Sequence, residues 1–148
     1  MPFRWSGPDL QTLSAAAMSA LLFTSAAKHF REPEFFHHVV PGVLCRDDSG
    51  EQPNGPLAVL SREEWVAVSG LLEAAAAVGL LIPATRRAAA GCVTALFTAF
   101  LSGHVDALRK AYGPDGTPRR RRVHTLRLPL QAPLIAWAWT LTRRTGRP

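Results

Sequence analysis

Four stretches of the chain are almost free of charge: residues 10–27, 65–82, 88–105 and 126–141. A helix packed on the core of a water-soluble domain shows polar residues along its outer face at a 3.6-residue period. The first and third stretches hold no charged residue, and the second holds only Glu73. Helices that are apolar all round need lipid or a large protein about them, and 148 residues cannot bury four. A helix crosses the bilayer hydrocarbon with about 17–25 apolar residues. Three stretches reach 18 residues, while the fourth has 16 and carries Arg127 near its start. The pattern predicts an all-α fold, a four-transmembrane-helix antiparallel bundle in one membrane domain over residues 1–148. Its helices fall at about 10–29, 63–82, 86–108 and 126–142, with loops at 30–62 and 109–125. The expected setting is the cell membrane, multi-pass, with the lipid bilayer as first partner. A soluble four-helix bundle is the competing reading, and the missing charged stripe speaks against it.

Local signals agree with these boundaries. Ser61 followed by Glu64 reads as a capping box opening the second helix, and Trp65 suits the membrane interface. The turn at 83–87 is so short that the second and third helices must form an antiparallel hairpin. In "HFREPEFFHHVVPG", Phe30, Phe35 and Phe36 suit a short amphipathic turn against the headgroups, with His37 and His38 solvated. "CRDDSGEQPNGP" reads as a mobile polar loop. Arg4, an apolar run and Ser25-Ala26-Ala27 loosely resemble a signal peptide, but the later apolar stretches would remain after cleavage, so the first helix is taken as retained.

The net charge is +6, and only 19% of residues are charged, below the roughly 25% usual in soluble domains. No aromatic residue interleaves the run Arg119–Arg122, so anionic lipid headgroups fit it better than nucleic acid. If the N-terminus lies on side A, that side receives Arg4, Arg86, Arg87, Arg143, Arg144 and Arg147, and the remaining 11 of 17 Lys and Arg fall on side B. The positive-inside rule would make B cytoplasmic. Four of those 11 form one run, however, and two side-A arginines sit directly at helix ends, so both orientations stay open. Cys45 falls in the first side-B loop and Cys92 near side A, too far apart for a disulfide. Two lone cysteines exclude a cysteine-rich zinc site, and Cys92 reads as a small core residue.

Glu73 is the candidate chemistry. At 100° per residue, Ser69, Gly70, Ala76 and Ala77 share its face, while Val68, Leu71, Ala75, Val78 and Ile82 lie opposite. Small and polar faces suit helix contacts within membranes and bulky aliphatic faces suit lipid, so Glu73 points into the bundle. Lys28 and His29 end the first span on side B, His104 and Asp106 end the third, and Arg127 with Gln131 begins the fourth. These groups converge on a polar pocket open to side B with Glu73 at its floor. The candidate ligand-binding residues are Glu73, His29, Lys28, His104, Arg127 and Gln131; no metal ligands are assigned. The cluster could instead serve only helix registry, and paired haem ligation by His29 and His104 is a further alternative.

Three segments in order, "SAAKHFREPEFFHHVVPGVL", "VSGLLEAAAAVGLLIPATRRAAA" and "LRLPLQAPLIAWAW", resemble the DoxX-like family of small, mostly bacterial four-helix membrane proteins. The matching positions are Lys28, His29, Phe30, Pro33, Pro41, Ser69, Gly70, Glu73, Arg86, Arg87, Arg127, Pro129, Leu130 and Gln131. Where relatives show Pro-x-Asn near the end of the third span, this chain has Ser102-Gly103-His104. The resemblance implies the four-helix fold and little chemistry; the family's name comes from a subunit linked to a thiosulfate:quinone oxidoreductase. The expected function is a redox-associated membrane subunit holding a quinone-like or small anionic ligand, beside a membrane or peripheral oxidoreductase subunit. Arg127, His29 and Gln131 would donate hydrogen bonds, and Glu73 would accept a proton. No nucleophile dyad, metal cluster or phosphate loop marks a self-sufficient enzyme. A non-catalytic scaffold is the alternative, and transport by four spans without a repeat is weaker.

Overall fold

The computed structural model describes residues 7–47, 49 and 55–143. Arg4, Arg144 and Arg147 of the side-A count lie outside the described residues, as does half of the polar loop expected to be mobile (48 and 50–54). The regular elements are helices: α1 (Gly7–Arg31), α2 (Glu34–His37), α3 (Arg62–Leu81), α4 (Arg86–Tyr112) and α5 (Pro118–Thr140), with a 3-10 turn at Gly42–Leu44. An isolated parallel bridge joins Cys45 to Leu60. Among the described residues, three helices are long and apolar enough to cross a membrane: α1 from Leu10, α3 and α4.

The helix ends follow from local chemistry. Ser61 Oγ accepts from Glu64 N at 3.2 Å, and the Glu64 carboxylate accepts from Ser61 N at 2.7 Å, closing the expected capping box. The fourth long helix departs from expectation, starting inside the 109–125 segment assigned to a loop. Thr117 caps it by accepting from Arg120 N at 3.3 Å, and Pro118 takes the first turn, where its missing N–H costs nothing. The arginines of the run are good helix formers, so the charged tract is helical. Similarly, α4 continues to Tyr112 rather than ending near 108. Pro129 and Pro133 lie inside α5, and each removes one i→i−4 bond.

The helices pair as α1 on α3 and α4 on α5, with the α3–α4 hairpin joining the two pairs. Gly70 permits the first pairing: a Cβ there would stand 2.8 Å from His29 Cβ. Met18 and Leu22 of α1, Ala77 and Leu80 of α3, Val93 and Phe97 of α4, and Ala138 of α5 form one buried cluster. That cluster occupies the half of the bundle nearest the α3–α4 turn. Ser19 Oγ donates to Ala77 O at 2.8 Å, and Trp137 Nε1 donates to Ser14 Oγ at 2.8 Å, tying α5 to α1.

Many large apolar residues face outward. Leu71 is 60% exposed and Leu126 62%, and Val78 and Ile82 also face out while Gly70, Glu73, Ala76 and Ala77 are buried. The face of α3 inferred from helical spacing is thus the one it presents. Cys92 corrects its expectation: it is exposed on α4, one position before buried Val93. A 100° step separates the two side chains, enough to carry Cys92 off the core-facing stripe.

Candidate functional site

The half of the bundle not filled by the core encloses a cavity of about 420 Å³. Its walls are mostly apolar, including Leu22, Val66, Phe97, Phe100 and Leu134. Five of the six candidate residues line it together: Glu73, His29, His104, Arg127 and Gln131. Lys28 does not. Its Nζ lies 3.5 Å from Glu32 and 3.8 Å from the Phe35 ring centroid. One helical step from His29, Lys28 turns toward the loop, where its ammonium keeps water and a counter-charge.

Glu73 is 3% exposed. Its Oε2 has no hydrogen-bond partner and lies 3.8 Å from His29 Nδ1. That imidazole is already committed. Nδ1 lies 2.9 Å from Ser25 O, and a carbonyl can only accept, so Nδ1 carries a proton pointed along α1 rather than at the carboxylate. Ser25 itself lines the cavity beside them. Its role was missed in the sequence, where Ser25 entered only through a signal-peptide resemblance; its spacing of four from His29 was the available clue. On the far wall, Gln131 Nε2 lies 2.9 Å from His104 Nε2. With the amide donating, His104 holds its proton on Nδ1, a buried atom without a partner. Two residues that line the cavity, both more than nine-tenths buried, thus carry a polar atom without a partner, the Glu73 Oε2 oxygen and the His104 Nδ1 N–H. Unsatisfied buried polar groups are costly and rare in native proteins.

The α1–α3 connection caps the cavity. Phe36, Val39, Val40, Pro41 and Leu44 line it from that side. Phe36 stacks on His29 with centroids 3.6 Å apart. Arg62 Nη1 donates to Val40 O at 2.9 Å and also to His37 O. Trp65 Nε1 donates to Leu44 O at 2.7 Å, so Trp65, expected at the lipid interface, is half-buried under the cap and lines the cavity. His37, expected in solvent, is half-buried, with Nε2 3.9 Å from Glu63; His38 is exposed. The cap rests on Gly103, where an added Cβ would stand 1.9 Å from Val39 O. Backbone fills the space a side chain would need.

The turn arginines have local tasks. Arg86 Nε donates to Leu80 O at 2.9 Å and Arg87 Nε to Thr142 O at 3.0 Å, neutralising carbonyl ends of α3 and of the segment after α5. They are therefore weak witnesses to membrane orientation.

No group of three or more His, Cys, Asp or Glu that could hold a metal ion occurs among the described residues. A model of the family described as a domain of unknown function (DUF8561) matches residues 18–142, which takes in the cap, the cavity and all six candidate residues. The chain belongs to that family. No curated protein and no solved structure matches it. The DUF8561 match leaves out residues 7–17, the first three turns of α1, and residues 10–17 contribute none of the cavity lining.

Proposed function

We propose that this DUF8561 chain is a multi-pass membrane protein whose capped cavity binds a quinone-like molecule for a redox-associated membrane assembly. In this reading α1, α3, α4 and the apolar part of α5 are four antiparallel spans. The resemblance to DoxX-like proteins supports the same architecture and the quinone link. The mostly apolar stretch 126–141, which carries Arg127 near its start, follows the basic first third of α5, and arginines at a span's edge reach the headgroups by snorkelling.

The observation that carries the proposal is the pairing of an unsatisfied Glu73 Oε2 and an unsatisfied His104 Nδ1–H in one mostly apolar cavity. A quinone ring needs apolar walls and one or two hydrogen-bonding groups, and ligand sites of this kind run from about 300 to 1,000 Å³. His104 Nδ1–H can donate to a quinone carbonyl. Glu73 can donate to a second carbonyl when protonated, or accept from a quinol hydroxyl when ionised. Quinone reduction consumes two protons and two electrons. The two electrons would come from an oxidoreductase partner; this chain would hold the ring and relay one proton through Glu73, and water at the membrane surface would supply the other. A helix-registry role for the cluster has less support, because Glu73 and Arg127 share neither hydrogen bond nor ion pair among the described residues.

The test is a titration of the detergent-solubilised protein with a short-chain benzoquinone, read by quenching of Trp65, which lines the cavity. Saturable quenching is expected, lost in Trp65→Phe. Glu73→Gln with His104→Leu should weaken binding about tenfold, the equivalent of about 1.4 kcal/mol. Linear quenching that is the same in wild type and the double variant would end this reading.

A further inference from the structure

A second, open depression shares Arg127 with the cavity and lies between the α1–α2 corner and the start of α5. Arg31, Arg119, Arg120, Arg127, His38 and His124 line it. Two carboxylates also line it, Glu32 and Glu34, and Glu32 is engaged by Lys28 at 3.5 Å. Four guanidinium groups thus face at most one free carboxylate.

Two of the lining groups are unsatisfied. The Arg127 guanidinium is half-buried and meets the Phe35 ring at 4.5 Å, but it makes no hydrogen bond or ion pair among the described residues. A cation over an aromatic face still has all its N–H donors to place. His124 is 7% exposed, and its Nδ1 is buried without a partner. The uncompensated positive charge is felt locally. Burial first, and then neighbouring arginines, hold the His38 and His124 imidazoles below their ordinary pKa; both residues lie outside the apolar stretches.

We propose that this groove is a built phosphate site, in which Arg127, Arg120 and Arg31 grip the oxygens of one phosphate group and His124 Nδ1 completes its shell. Arginine forks match phosphate oxygens in pairs, which distinguishes such a site from diffuse attraction by a basic face. The groove lies beside the residues that begin the apolar part of α5, where the proposed membrane placement puts lipid headgroups. The phosphate is therefore that of an anionic phospholipid or a soluble phosphate at the same level. The site is separate from the quinone reading, and its failure would leave that reading intact.

The experiment compares phosphatidylglycerol with phosphatidylcholine bound to the protein in dodecyl maltoside, by native mass spectrometry. Wild type should retain one phosphatidylglycerol at least about tenfold more tightly, about 1.4 kcal/mol. Arg31→Gln/Arg120→Gln should abolish that preference. Arg109→Gln/Arg122→Gln removes the same charge from exposed positions outside the groove and should preserve it. Helix content by circular dichroism checks that each variant folds. Displacement of the lipid by inorganic phosphate, with direct phosphate binding in lipid-free protein, assigns the site to a soluble ligand. Retention of the lipid against phosphate assigns it to the headgroup. Equal loss in both double variants, or wild type that holds neither phosphatidylglycerol nor phosphate, would overturn the proposal.

Discussion

Gly103 and Gly91 lie on the same helix and make opposite predictions for the same substitution. In Gly103→Ala the new Cβ would meet Val39 O at 1.9 Å. Carbon–oxygen contact needs more than 3 Å, roughly the distance at which dispersion becomes favourable, so α4 and the cap must part by about 1 Å or more. The obstacle is a backbone carbonyl and cannot rotate away. Overpacking of this kind costs about 1–3 kcal/mol, against a helix-propensity gain of about 0.5–1 kcal/mol for replacing glycine. The net is a loss of up to about 2.5 kcal/mol. Gly91→Ala meets nothing within 4 Å and keeps the whole gain. Thermal unfolding followed by circular dichroism at 222 nm should place Gly91→Ala above wild type and Gly103→Ala below it. At roughly 2–4 °C per kcal/mol for a chain of about this size, the two variants should separate by several degrees. Hydrogen exchange should locate the damage, with faster exchange at residues 36–44 in Gly103→Ala alone. Equal midpoints, or exchange unchanged over the cap, would refute the account of the cap as seated on Gly103.

Four further outcomes are expected. Ser61→Ala removes one half of the α3 capping box and should cost about 1 kcal/mol, measured as a lowered unfolding midpoint, whereas Ser61→Asp should restore it. Arg86→Gln deprives Leu80 O of a charge-assisted partner, and with the side chain half-buried the same assay should show a loss of about 1–2 kcal/mol. Cys92, exposed on an apolar helix face, should resist a water-soluble maleimide in lipid vesicles yet react with a membrane-permeant one; rapid reaction with both would place that face in water. Because His38 and His124 have lowered pKa values in the fold, the unfolded chain binds more protons just below the ordinary histidine value of about 6.5. Stability from these residues is full above that value and falls as the pH drops through the folded values. The unfolding midpoint should therefore decline from pH 7 to pH 5, less so in His38→Gln/His124→Gln.

Much of this molecule could be read from residue spacing. The charge-free stretches marked the apolar helices, Ser61 and Glu64 marked the start of α3, and 100° arithmetic aimed Glu73 inward, because each depends on groups within a few turns of one helix. The up-and-down threading of the spans brought four more lining residues, His29, His104, Arg127 and Gln131, to the same end of the bundle. The charged tract at Arg119–Arg122 was misassigned since a run of like charge resembles a loop, although Thr117-Pro118 held the capping signal. The rest depends on contacts between distant segments. Seating the cap required Val39 to meet Gly103 and Leu44 to meet Trp65. Commitment of His29 to Ser25 left Glu73 unsatisfied, and the α3–α4 hairpin set the four helices so that core fills one half of the bundle and space remains in the other. Local periodicity fixes which face of a helix is apolar; only packing decides which buried polar atoms go without a partner.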